Sequence, residues 1–156
     1  MRLFEAPSAS KLVLQTLLVR GGAFRARYEF LNEGPKERIF VVANLKPAED
    51  ATIILFSATT QIAKRRAHHK GRAALVLVPL DPADYSGVTE PCVLDCESPI
   101  KRKISDFVKH VEDRQYTPLT TAPEAIMTKI VLAVRAARSL SAVEKRLVLG
   151  DRSDGS

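Results

Sequence analysis

"ERIFVVANLKPAEDATIILFSATTQ", Glu37 to Gln61, is the stretch that decides the fold. Two apolar runs rich in branched residues, RIFVVANL and ATIILFSATT, flank the polar loop KPAED. Branched side chains are stiff at χ1 and pack well on a pleated surface, so each run predicts a strand. Neither run alternates apolar with polar, which predicts strands covered on both faces. The first strand opens on Arg38 and the second closes on Thr59, Thr60 and Gln61. If the two are antiparallel neighbours, a guanidinium and a hydroxyl meet at one end of the pair. That couple suits a phosphodiester, because the guanidinium carries the opposite charge and both groups bond phosphate oxygens. The residues alone favour a plainer reading, with a surface arginine at a strand end and threonines chosen for strand propensity.

Outward from this pair the chain keeps producing short elements. PSASKLVLQTLLVRGG reads as a helix capped by Ser8 or Ser10, with Leu14, Leu17 and Leu18 on one face and Gly21-Gly22 as its stop. AFRARYEFLN alternates Phe24, Ala26, Tyr28 and Phe30 with Arg25, Arg27 and Glu29, the pattern of a half-buried strand with a basic outer face. NEGPKE is a turn. QIAKRRAHHKGR is dense in charge without apolar periodicity and predicts a loop or loosely ordered arm. AALVLVPL and PCVLDC predict two further strands, and IKRKISDFVKHV a strand end or a helical turn. A C-terminal helix spans Thr121 to Arg138, with Thr121 as N-cap, Glu124 completing a capping box, and Ile126, Ile130, Val134 and Ala137 on one face. The stretch 141–156, ending LGDRSDGS, predicts a polar, disordered tail.

The expected fold is therefore mainly β with helices: a small barrel over 23–140, an N-terminal helical extension over 1–22 and a C-terminal helix. The 156 residues suit one domain with one core. Their 46% hydrophobic and 27% charged content is that of an ordinary globular protein, and no apolar run is long enough for a bilayer. KLVLQTLLV is followed by RGGAFRARYEF rather than a small-residue cleavage site, so a cytoplasmic protein with reduced thiols is expected.

Charge narrows the choice of partner. Lys and Arg number 24 against 18 Asp and Glu, a net +6, which favours an anionic partner such as nucleic acid or an acidic protein. Lys64, Arg65, Arg66, Lys70 and Arg72 crowd into one short segment and predict contact with backbone phosphates, the alternative being a solvated loop. His68, His69, Cys92 and Cys96 could imitate a zinc site. Their placement reads instead as two small buried thiols and two exposed imidazoles, with no metal. Neither a Gly-rich phosphate loop nor a nucleophile elbow is present.

RIFVVAN, IILFSATTQ and CVLDCESPIKRKI followed by TAPEAIMTKIVLAV occur in an order that resembles the PemK/MazF family of toxin endoribonucleases. The resemblance covers most of Arg25 to Leu140. It implies an SH3-like barrel, a homodimer, single-stranded RNA as substrate, an acidic antitoxin protein as partner, and no metal or other cofactor. It also implies roles: Arg38 stabilises the transition state, Thr59 contacts the scissile phosphate, and Glu97 transfers a proton. Departures are Ile39 where the family has proline, Asp95 where some members have a second arginine, and a shortened glycine-rich approach to Arg38. Lys101 and Arg102 are candidates to replace that second arginine. Two other functions stay open, a catalytically silent nucleic-acid-binding barrel and a protein whose basic groove only receives an acidic partner.

Overall fold

The computed structural model describes residues 9–30 and 34–150. The candidate cap Ser8, the turn residues Asn32 and Glu33, and residues 151–156 of the expected tail lie outside them.

Apolar runs make the framework. Helix α1 (Ala9–Leu17) leads into strands β1 (Ala23–Phe30) and β2 (Gly34–Val42), a 3-10 turn (Pro47–Glu49) and β3 (Thr52–Thr59). Helices α2 (Ile62–His68) and α3 (Ala73–Val76) then lead to β4 (Leu77–Leu80), β5 (Cys92–Asp95) and β6 (Ile100–Lys103). The chain continues through α4 (Ile104–Glu112), β7 (Thr117–Leu119), α5 (Glu124–Ala136) and α6 (Ala142–Leu149). Sheet order is β4-β5-β3-β2-β1-β7, with β6 also on β3. All pairings are antiparallel. β3 is the hub: its first half pairs with β6 and its end with β5, while β2 lies along its middle. Among the described residues β4 and β7 do not pair with each other, so the barrel-like sheet stays open.

Alternate residues of the central strands enter two different cores. Val41, Ile54 and Phe56 join α5 and α6 residues such as Ile130 and Val148 on one side. Phe40, Val42, Ile53 and Leu55 join Leu17, Phe107 and Tyr116 on the other. A strand alternates faces every residue, so a sheet covered by helices on both sides needs an unbroken apolar run, as TIILF supplies.

A polar pin holds the loop between β2 and β3. Asn44, fully buried, donates from Nδ2 to Asp50 Oδ2 and to the Thr52 carbonyl, each at 2.9 Å, and accepts at Oδ1 from the Ile54 amide at 2.7 Å. Asn44→Ala leaves that buried amide without its acceptor, and we expect a loss of about 1–3 kcal/mol in urea unfolding.

Several expectations are corrected. The basic segment after Gln61 is an ordered helix, α2, followed by α3, which takes the first half of the strand expected at AALVLVPL. Helix α2 buries none of its own residues completely, so its sequence shows no apolar stripe. The capping box expected at Thr121 is absent: Pro123 is the N-cap of α5 and makes no side-chain cap. A capping box does form at Ser141 and Glu144, where it starts α6 in the stretch expected to be a tail. IKRKISDFVKHV is both a strand and a helix, β6 and α4. No helix of the described residues is long and apolar enough to cross a membrane.

Candidate functional site

Arg38 lies within β2 rather than at the strand's mouth, because pairing with β1 extends back to Gly34. Phe40 pairs with Ser57 across β2 and β3. Two residues along each strand, on the same face, stand Arg38 and Thr59. Both are buried, at 8% and 6% exposure. They line one open cavity of about 280 Å³ together with Lys36, Glu37, Gln61 and Glu90. The residue directly across from Arg38 on β1 is Ala26, whose methyl group takes little of that face.

The end of β3 shapes the floor. Thr59 Oγ1 accepts from the Gln61 amide at 3.2 Å, a local turn that stops the strand and turns the chain into α2. Gln61 Oε1 is buried beside the cavity without a hydrogen-bond partner. A buried acceptor left unsatisfied costs stability unless something supplies a donor, so this atom can take a hydrogen bond from water or from a group held in the cavity. Cys92 also lines the cavity. Burial, and secondarily Glu90, push its thiol up to about 11, so it stands there as a neutral thiol and not as a nucleophile. At the rim Arg25 Nε lies 3.5 Å from Glu37 Oε1. The cavity thus offers Arg25, Lys36 and Arg38 against Glu37 and Glu90, a cationic floor with two carboxylates at hand.

Other candidate residues are held elsewhere. Glu97 does not line this cavity. Its Oε2 accepts from the amides of Arg138 and Ser139, both at 2.7 Å, and its Oε1 from Arg72 Nη1 at 2.5 Å. Burial pushes the carboxyl up, but these bonds outweigh it and hold the group at about 2. A carboxyl held there does not exchange protons near neutrality. Arg72 also donates to the Ala136 carbonyl, so it serves the end of α5 rather than a mobile arm. Asp95, where a second arginine stands in some proteins that the sequence resembles, is an anchor. It accepts from His69 Nε2 at 2.8 Å, from Ser98 Oγ at 3.3 Å, and from Arg65 Nη1 at 3.5 Å. His69 is therefore buried, against the expectation of two exposed imidazoles; His68 is exposed.

Of the basic residues singled out in the sequence, Lys64, Arg66 and Lys70 are exposed on or just after α2. Lys101 Nζ is bonded to Glu144 Oε2 at 2.8 Å. The Arg102 guanidinium lies 4.9 Å from the centre of the Tyr28 ring. Among the described residues no group of three His, Cys, Asp or Glu side chains is placed to hold a metal ion. The sequence reading missed Lys36, Glu37 and Glu90. Lys36 stands two residues before Arg38 on the same face of β2 and could have been found from the strand alternation alone. Glu37 alternates to the other face, and Glu90 comes from a loop that no pattern ties to β2.

No protein-family model matches the sequence, and no curated protein matches it. Among solved structures, one described as an endoribonuclease in complex with its cognate antitoxin from Mycobacterial species is similar at 16% identity and a TM-score of 0.46. The alignment covers 80% of this chain and 96% of that one. At those values the likeness is one of outline.

Proposed function

We propose that this chain is a toxin-type, metal-independent endoribonuclease that cleaves single-stranded RNA at the Arg38–Thr59 cavity. One observation carries the reading: a guanidinium and a hydroxyl from different strands, both buried, line a single cavity with a cationic floor. The resemblance of RIFVVAN and IILFSATTQ to the PemK/MazF family points the same way.

The chemistry follows from what such a pair can hold. The substrate's own 2′-hydroxyl attacks the neighbouring phosphorus and forms the O–P bond of a 2′,3′-cyclic phosphate. The bond to the 5′-oxygen breaks and that oxygen takes a proton from water, the hydroxide left behind being neutralised by the proton that the carboxylate received. Charge builds on the non-bridging oxygens in between, where Arg38 meets it and the Thr59 hydroxyl orients it. The proton from the 2′-hydroxyl goes to a carboxylate of the cavity, Glu37 or Glu90, in place of the locked Glu97. Lys64, Arg66 and Lys70 add phosphate contacts on the approach, with the salt dependence such contacts bring. The same reading makes the chain a cytoplasmic homodimer that is silenced by an acidic antitoxin-like partner covering the cationic cavity.

A strand with a 2′-O-methyl group at every position keeps its phosphates and loses its nucleophile. It is expected to bind and stay intact, while the ribose strand yields fragments ending in a cyclic phosphate. An intact ribose strand that is nevertheless retained at low salt would point to a silent binding barrel. No RNA affinity together with tight binding of an acidic protein would point to the interaction role.

A further inference from the structure

A second cavity, of about 360 Å³, opens between β1, β6 and the segment from α4 to β7. Its floor is aromatic, with Tyr28, Phe40 and Tyr116 among its lining residues. Arg102 reaches over the Tyr28 ring, and His110 and Gln115 stand at the side. Arg25 and Glu37 line this cavity as well as the Arg38–Thr59 one, so the two meet at that ion pair. We propose that this second cavity is a subsite for one nucleobase of the single-stranded RNA whose backbone passes Arg38. The proposal rests on the cleavage reading above and says where a neighbouring base goes.

Three features select a nucleobase. First, a planar ring needs an apolar, aromatic surface, and the cavity provides one with a volume in the range of small-molecule sites. Second, the rim is cationic. Arg25, Arg27 and Arg102 line it against Glu37 alone, and Glu37 is engaged by Arg25. A base joined to phosphates matches that combination of aromatic floor and positive rim. An acidic peptide would satisfy the rim and make no use of the aromatic floor. Third, a polar edge is waiting. His110 Nδ1 is buried and has no hydrogen-bond partner. Burial first and Arg102 second lower the pKa of this ring, so the imidazole facing the cavity is neutral and offers one donor and one acceptor. That pair can read the edge of a base.

The chain contains no tryptophan and three tyrosines, Tyr28, Tyr85 and Tyr116, of which two line the cavity. Intrinsic tyrosine fluorescence therefore reports on it. The probe is a 2′-O-methyl oligonucleotide, which separates binding from cleavage, run beside the same backbone with abasic positions and beside the free mononucleotides AMP and UMP. The full strand is expected to quench tyrosine emission, and the abasic strand to bind about tenfold more weakly without quenching. Tyr28→Leu should lose a similar factor for the full strand and none for the abasic one, whereas Arg102→Gln should weaken both strands, the full one more. Both keep much of the volume or polarity of the native side chain, and circular dichroism and thermal unfolding are the checks that they fold. Equal affinity of full and abasic strands, or variants indistinguishable from wild type, overturns the subsite. Quenching by AMP or UMP with none from the strand also overturns it, in favour of a free-nucleotide site. Failure of cleavage alone, with base-dependent quenching intact, overturns only the catalytic reading.

Discussion

On the proposed cleavage reading, Arg38→Ala is expected to lower the single-turnover rate on single-stranded RNA by about 10²–10³-fold, the loss associated with removing one preorganised group that meets developing charge. The native state should survive the change. Arg38 is buried at a strand position whose neighbours, Ile39 and Phe40, carry the packing, and the cavity already borders its side chain. Thermal unfolding of the variant therefore separates a chemical loss from a folding loss. Arg38→Lys keeps the charge and abolishes the planar fork, so it should recover only part of the rate. Full activity in Arg38→Ala removes this cavity as the site of reaction.

Glu97→Ala is expected to do the opposite. It leaves cleavage per folded molecule unchanged and costs about 1–3 kcal/mol of stability, the scale of leaving partly buried donors without their acceptor. The carboxylate receives two amides beyond α5 and the Arg72 guanidinium, and all three lose their acceptor together. The pH dependence has a definite sign. The folded carboxyl sits at about 2 against an ordinary 4.5, so its contribution is complete above about 4.5 and is lost as pH falls toward 2. Urea unfolding between those values should show the wild type losing stability faster than Glu97→Ala, with the two curves converging at the acid end. Parallel curves would mean that the carboxylate is not held as described. A cleavage rate that falls with the mutation would restore Glu97 to the chemistry.

The two assignments show what the sequence could and could not reveal. β2 and β3 were legible because burial on both faces writes itself as an unbroken apolar run, and the register of those runs brings Arg38 and Thr59 together. Helix α2 was not, because Ile62 alone among its residues packs on an apolar cluster and no stripe repeats along it. Arg65 and His69 reach Asp95 on β5, roughly thirty residues away, and a charged segment tethered by ion pairs reads locally like a loop. Thr121 looked like a cap because Glu124 follows three residues later. Helix α5, however, begins at Glu124 itself, so that glutamate is too early to reach back as the box requires. The hydrogen bonds of Glu97 were illegible for a different reason. Its sequence neighbourhood resembles a catalytic segment, while its partners, Arg138 and Ser139, come some forty residues later and carry no motif.

β3 has one further consequence, for the growing chain on the ribosome. Its partner β2 precedes it, but β5 and β6, which close its other edge, emerge only after roughly forty more residues. At a synthesis rate of about 5–20 residues per second, the IILF edge waits several seconds with its amides and carbonyls unmatched. Such an edge is a template for pairing between neighbouring nascent chains. Slow elongation between Thr59 and Lys103 should raise the share of newly made protein lost to aggregates, whereas slow elongation after Lys103 should not.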